Sequence, residues 1–160
     1  MKKLMSVIAV GALAVGLTAA PSAIAKQGPK SVPATVTVVP TPTTIDATTT
    51  TVSVSGNVAA SSSCRKDRTV RFSYVNGATG AVTPLATTAV TGPNGDYTAV
   101  LPKPTDTGPA SVTLRATVDQ SIRTVGSKKK GKKAKKGRQF ICLEASGQSV
   151  PLTVSAPVTP

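Results

Sequence analysis

Eight basic side chains crowd into eleven consecutive positions: Lys128, Lys129, Lys130, Lys132, Lys133, Lys135, Lys136 and Arg138, in the run SKKKGKKAKKGR. Their chemistry is attraction of anions. An ammonium group near an anionic lipid surface contributes about 1 kcal/mol, less as salt screens it. The same charge density suits phosphate-rich wall polymers, sulfated glycans and nucleic acid backbones. Such binding is salt-sensitive and weakly specific. No aromatic residue alternates with the lysines, so base stacking is not offered. That argues against recognition of a nucleic acid sequence. Like charges at this density repel, and Gly131 and Gly137 add backbone freedom, so the run reads as a flexible loop. The alternative role is a solvated loop that only aids solubility.

The other reactive residues are few. The 160 residues include two Cys and no His. Without His there is no Ser-His-Asp or Cys-His nucleophile and no imidazole metal ligand. The six carboxylates, Asp46, Asp67, Asp96, Asp106, Asp119 and Glu144, are scattered. No pair has a spacing that enforces the carboxylate geometry of a glycosidase, and no calcium loop pattern occurs. The expectation is a non-catalytic protein without cofactor or metal. Cys64 and Cys142 stand 78 positions apart. Two cysteines in an exported chain argue for an intramolecular disulfide, with free buried thiols or an intermolecular bridge as alternatives. No CxxC is present, so redox catalysis is not indicated.

Export is read from the first residues. Lys2 and Lys3 form a positive start, Leu4 to Ala20 is uncharged and rich in Ala, Val, Leu and Gly, and Ala23-Ile24-Ala25 is a small-x-small cleavage pattern. This reads as a cleaved signal peptide over residues 1–25, the alternative being a retained membrane anchor, for which the apolar run is at the short limit. Of the 19 bases, Lys2 and Lys3 leave with it, so 17 remain against 6 acids. Outside the basic run nine bases face those six acids, and the excess charge is therefore local. After cleavage no membrane span is expected. The protein is placed outside the cell, on or near the envelope.

The elements that hold these residues are strands. Residues 26–50 read as an extended Thr/Pro-rich lead-in, with Ala34 to Val39 as an edge strand and a Thr tract over 41–50 that has little to bury and could carry O-linked sugar. From Thr51 the pattern is β. Val52 and Val54 alternate with Ser53 and Ser55. Arg68 to Val75 puts Val70, Phe72 and Tyr74 on one face. Ala81 to Val90 contains Pro84 and suits a sheet edge. Thr91 to Gly95 is a strong turn, with Pro93 fixing φ and Gly95 accepting a positive value. Asp96 to Leu101 and Ser111 to Val118 alternate again. Gln139 to Ala145 reads as one central strand, and Val150 to Val154 closes the domain. Seven or eight short strands over 51–156 predict an all-β fold, a single antiparallel β-sandwich. The basic run, 127–138, is then a loop between the Ser111–Val118 and Gln139–Ala145 strands. Few aromatic residues fill such a core, and small cores commonly need a covalent staple.

Two segments resemble known modules. Cys64 to Phe72 (CRKDRTVRF) is similar to a strand opening in small secreted proteins of high-GC Gram-positive bacteria. Thr91 to Leu101 (TGPNGDYTAVL) resembles the turn and strand of carboxypeptidase-regulatory-like, transthyretin-like or Ig-like β-sandwich modules. The resemblance covers about residues 50–154 and implies an Ig-like or prealbumin-like fold, with Cys142 pairing back to Cys64. The basic run is not part of that pattern. Such modules serve adhesion, display or spacing, and no catalytic residue carries over. Two functions follow: association of the basic loop with an anionic wall polymer, glycan or lipid surface, or a protein-interaction or spacer module using strand edges or the Thr-rich segment, with the loop neutral.

Overall fold

Period-two alternation carries most of the chain into strands, because β-branched Val, Ile and Thr fit a pleated surface with one face buried. The computed structural model describes residues 28–105, 111–126 and 137–155. The signal peptide assigned to 1–25, Asp106, and the seven lysines from Lys128 to Lys136 lie outside the described residues.

Among the described residues the secondary structure is entirely β. The strands are β1 (Lys30–Val32), β2 (Thr35–Thr41), β3 (Thr44–Ile45), β4 (Thr51–Ala59), β5 (Thr69–Asn76), β6 (Val82–Val90), β7 (Asp96–Pro102), β8 (Val112–Val118), β9 (Ser121–Val125), β10 (Arg138–Cys142), β11 (Ala145–Gln148) and β12 (Thr153–Val154). Hydrogen bonding orders them as β2-β4-β7, β11-β8-β5-β6, β1-β10-β9 and β12-β3. Most pairs are antiparallel. Two are parallel, β1 with β10 and β3 with β12, which alternation along single strands does not reveal.

The inward residues of the two larger sheets meet in one core. Val36 and Val38 of β2, Val52 and Val54 of β4, and Tyr97 and Leu101 of β7 share a cluster with Val70, Phe72 and Tyr74 of β5 and Leu114, Ala116 and Val118 of β8. The Phe72 and Tyr97 rings lie 5.9 Å apart at 51°, a tilted arrangement favoured by aromatic quadrupoles.

Several expectations hold and several need correction. Val70, Phe72 and Tyr74 are buried together on one face of β5. β6 does lie at a sheet edge, and the β5–β6 register shifts between Arg71 and Ser73, where Ser73 faces Pro84. Proline has no N–H for the ladder, so the irregularity sits beside it. Gly95 adopts φ 90° in the turn, and a side chain there would run into the Val58 carbonyl. The single strand expected over Gln139–Ala145 is two. β10 pairs with β1 and β9 and ends at Cys142, the Leu143 N–H giving the last rung to the Val32 carbonyl at 3.0 Å, and β11 begins at Ala145 as the partner of β8 in a different sheet. The tract over 41–50 does bury a residue, since Ile45 is 1% exposed and pairs with Val154. Finally, Ser121–Val125 is itself a strand, so the basic run connects β9 to β10 rather than β8 to β10.

Candidate functional site

The basic run is anchored at both ends. β9 and β10 pair antiparallel from Ser121↔Cys142 to Val125↔Arg138. Gly126 and Gly137, which flank residues 127–136, therefore stand together at the open end of this hairpin. Arg138, the last cation of the run, is the first residue of β10 and is exposed. Its guanidinium carbon sits 5.7 Å from the centre of the Phe140 ring, within cation–π range. Residues two apart on a strand project from the same face, which brings the pair together.

Three covalent and polar ties fix the hairpin to the rest of the fold. Cys64 and Cys142 form a disulfide with their Cα atoms 5.4 Å apart. With Val32, Ala60 and Phe140 they make a second, smaller core. Arg68, 2% exposed, donates from Nη1 to the Cys64 carbonyl at 3.1 Å and from Nη2 to the Asp119 and Leu143 carbonyls at 2.6 and 3.0 Å. One planar guanidinium thus joins the Cys64 turn, the β8–β9 turn and the β10–β11 junction. Burial lowers its pKa, as does the nearby Arg123 charge, while Asp119 acts the other way. Arg123 supplies the third tie, donating from Nη2 to the Lys66 and Asp67 carbonyls at 2.8 and 2.7 Å. Asp67 lies in the left-handed region at φ 51°, and its Oδ2 stands 3.6 Å from Arg123 Nη1 and 3.7 Å from Lys66 Nζ.

The Ser61–Lys66 loop crosses near the β1-β10-β9 sheet and leaves an open groove on each side. One, of about 500 Å³, is lined by Lys30, Pro33, Ser61, Ser62, Ser63 and Phe140, among others. The other, of about 780 Å³, lies along β9 beside Lys66 and Arg123 and reaches Gly126, where the basic run begins. The cations Lys30, Lys66, Arg123 and Arg138 are thus gathered around one small sheet.

Four of the carboxylates among the described residues, Asp46, Asp67, Asp96 and Asp119, serve local structure. Asp46 Oδ1 accepts from the backbone N–H and hydroxyl of Thr48 at 3.0 and 2.7 Å, and from those of Thr49 at 2.8 and 2.8 Å. Those hydroxyl bonds, from Thr48 first, hold its pKa down to about 2. Asp96 accepts from Asn57 Nδ2 at 2.7 Å and Asp119 from Arg71 Nε at 2.8 Å. Among the described residues no three His, Cys, Asp or Glu come close enough to hold a metal ion.

The structure joins Arg138 and the cysteines of the expected site to one hairpin. Sequence reasoning missed Lys30, Arg68, Arg123 and Phe140. One signal was legible: Arg68 has the same strand parity as Val70 and Phe72, which places it on the inner face. Compared with protein-family models, curated proteins and solved structures, the chain matches none.

Proposed function

We propose that the protein is a non-catalytic module, exported and retained at the cell envelope, that presents a loop of lysines to anionic polymers or lipid surfaces. Its body is an Ig-like or transthyretin-like β-sandwich, a reading supported by the single core shared between the β2-β4-β7 and β11-β8-β5-β6 sheets. Export rests on the Lys2-Lys3 start, the apolar run and the Ala23-Ile24-Ala25 pattern.

The observation that carries the functional reading is the Val125↔Arg138 pairing. It clamps both ends of the basic run at one hairpin, and the Cys64–Cys142 bond ties that hairpin to the neck of β5. The lysines are near neighbours in the sequence, so their charge is dense along the chain, and local charge density is what drives counterion release. The test is retention. The wild-type protein and a variant with the seven run lysines changed to Gln are passed over an immobilised sulfated polymer and eluted with salt. Elution of the variant at clearly lower salt supports the proposal, and coincident elution rejects it.

A second reading, protein interaction, is favoured by apolar side chains exposed on edge strands: Val82 and Val90 on β6, Val100 on β7 and Ile122 on β9. Unpaired edges accept further strands. A stoichiometric partner whose binding is insensitive to salt would support this reading over the first.

A further inference from the structure

We propose that Arg138, seated on Phe140 and accompanied by Lys30 and the hydroxyls of Ser61–Ser63, is an ordered subsite for one tetrahedral oxyanion, a phosphate or sulfate group of the polymer. This deepens the polyanion reading and rests on it. The run lysines supply attraction without orientation, since an ammonium is a point charge on a flexible stem. Arg138 is different. Its guanidinium is a planar fork that can meet two oxygens of one oxyanion, and the Phe140 ring at 5.7 Å fixes where that fork sits. Less rotamer freedom is then lost on binding.

Arg138 adjoins, through the Phe140 ring, a groove whose lining includes Lys30 and Ser61–Ser63. Phe140 is the Cα partner of Lys30 on one side and of Arg123 on the other, so a cation stands beside the ring in the neighbouring strand. The groove of about 500 Å³ that Phe140 and Lys30 share is walled by Ser61, Ser62 and Ser63. Ser61 Oγ and Ser63 Oγ lie 2.9 Å apart; one hydroxyl donates to the other, whose own proton is free for an anion. Asp67, the acid of this loop, is engaged by Arg123 and Lys66, whereas Arg138 and Lys30 have no carboxylate partner among the described residues.

The experiment measures affinity and its salt dependence for the full chain, with two probes: inorganic polyphosphate of fixed length and a sulfated heparin oligosaccharide of similar charge. Arg138→Lys keeps the charge and removes the fork. It should weaken at least one probe roughly three- to tenfold, the size of one exposed cation–π or charge-assisted contact, with the salt slope unchanged. The more affected probe identifies the group as phosphate or sulfate; equal loss identifies a site that takes both. Lys30→Gln should weaken the same probe. Phe140→Leu should match Arg138→Lys, and because Arg138 is exposed, the Arg138→Lys result stands even if the Phe140 variant fails to fold. Wild-type affinity of Arg138→Lys for both probes overturns the subsite. If the seven-lysine variant then still binds weakly, the polyanion reading survives alone; if that variant binds like wild type, the reading itself fails.

Discussion

Tyr97 lies across its β-ladder partner Gly56 and donates its hydroxyl to the Thr37 carbonyl at 2.6 Å. A side chain at position 56 would collide with that carbonyl and with the Tyr97 hydroxyl. Three strands, β2, β4 and β7, are thereby locked at one point, and glycine is required for close approach rather than for an unusual φ. Gly56→Ala should cost about 2–4 kcal/mol, combining overpacking with a displaced hydrogen bond, and Tyr97→Phe about 1–2 kcal/mol. Urea denaturation midpoints check both. A Gly56→Ala protein as stable as wild type would mean that the sheet does not close this way.

Arg68 is the polar counterpart of that lock. Removing its guanidinium strands three backbone carbonyls, two of them in the chain segments that carry the basic hairpin. Arg68→Ala should cost about 3–5 kcal/mol, since unpartnered buried acceptors add to the lost packing. Arg68→Lys should fall between, because one ammonium cannot span three carbonyls with the geometry of a fork. Equal stability of Arg68→Lys and wild type would contradict this.

The Cys64–Cys142 bond closes a sequence separation of 78 residues. The chain-entropy relation gives roughly 4–5 kcal/mol for a loop of that length. Both cysteines are fully buried, so the folded protein should resist mild reductant, and the bond should break only as the chain opens. Replacing both by Ser should lower the denaturant midpoint accordingly. Matching midpoints for the oxidised protein and the double variant would remove the disulfide from the stability account.

Tyrosine ionisation gives a pH prediction. The protein contains two tyrosines and no tryptophan, so ultraviolet difference spectra report Tyr74 and Tyr97 without overlap. Burial pushes both pKa values up to about 12, against about 10 in an unfolded chain. Because the folded pKa is the higher one, the associated stability is present in full below the unfolded pKa. It is lost as pH rises from there through the folded pKa. The tyrosinate signal should therefore appear together with loss of β structure by circular dichroism. Two tyrosines titrating near the unfolded value in an intact fold would contradict the burial.

Much of this framework is legible in the residues, and the gaps have physical causes. Alternation located β5, β7 and β8 because each buries one face. It could not separate β10 from β11, since apolar residues continue from Phe140 through Leu143 while the two strands differ only in their partners, β1 and β9 for one and β8 for the other. β9 was missed because its side chains, Ile122 and Thr124 included, are largely exposed and leave no buried stripe. The parallel pairing of β1 with β10 depends on partners more than a hundred residues apart. For the candidate site, charge density singled out the lysines, which lie outside the described residues, and the even cysteine count suggested the staple that Cys64 and Cys142 form. The Arg138–Phe140 contact needed the strand, and the Lys30 neighbour needed the sheet.

The proposed binding of polyanions by the lysine run is tested most directly by the dependence of log affinity on log salt. Binding of the full chain to single-stranded polyanion should weaken steeply, each phosphate contact adding about 0.7 to the slope. Changing the seven run lysines to Gln should flatten that slope by several such increments while the fold, followed by circular dichroism, is unchanged. A variant that keeps the wild-type slope would contradict the account.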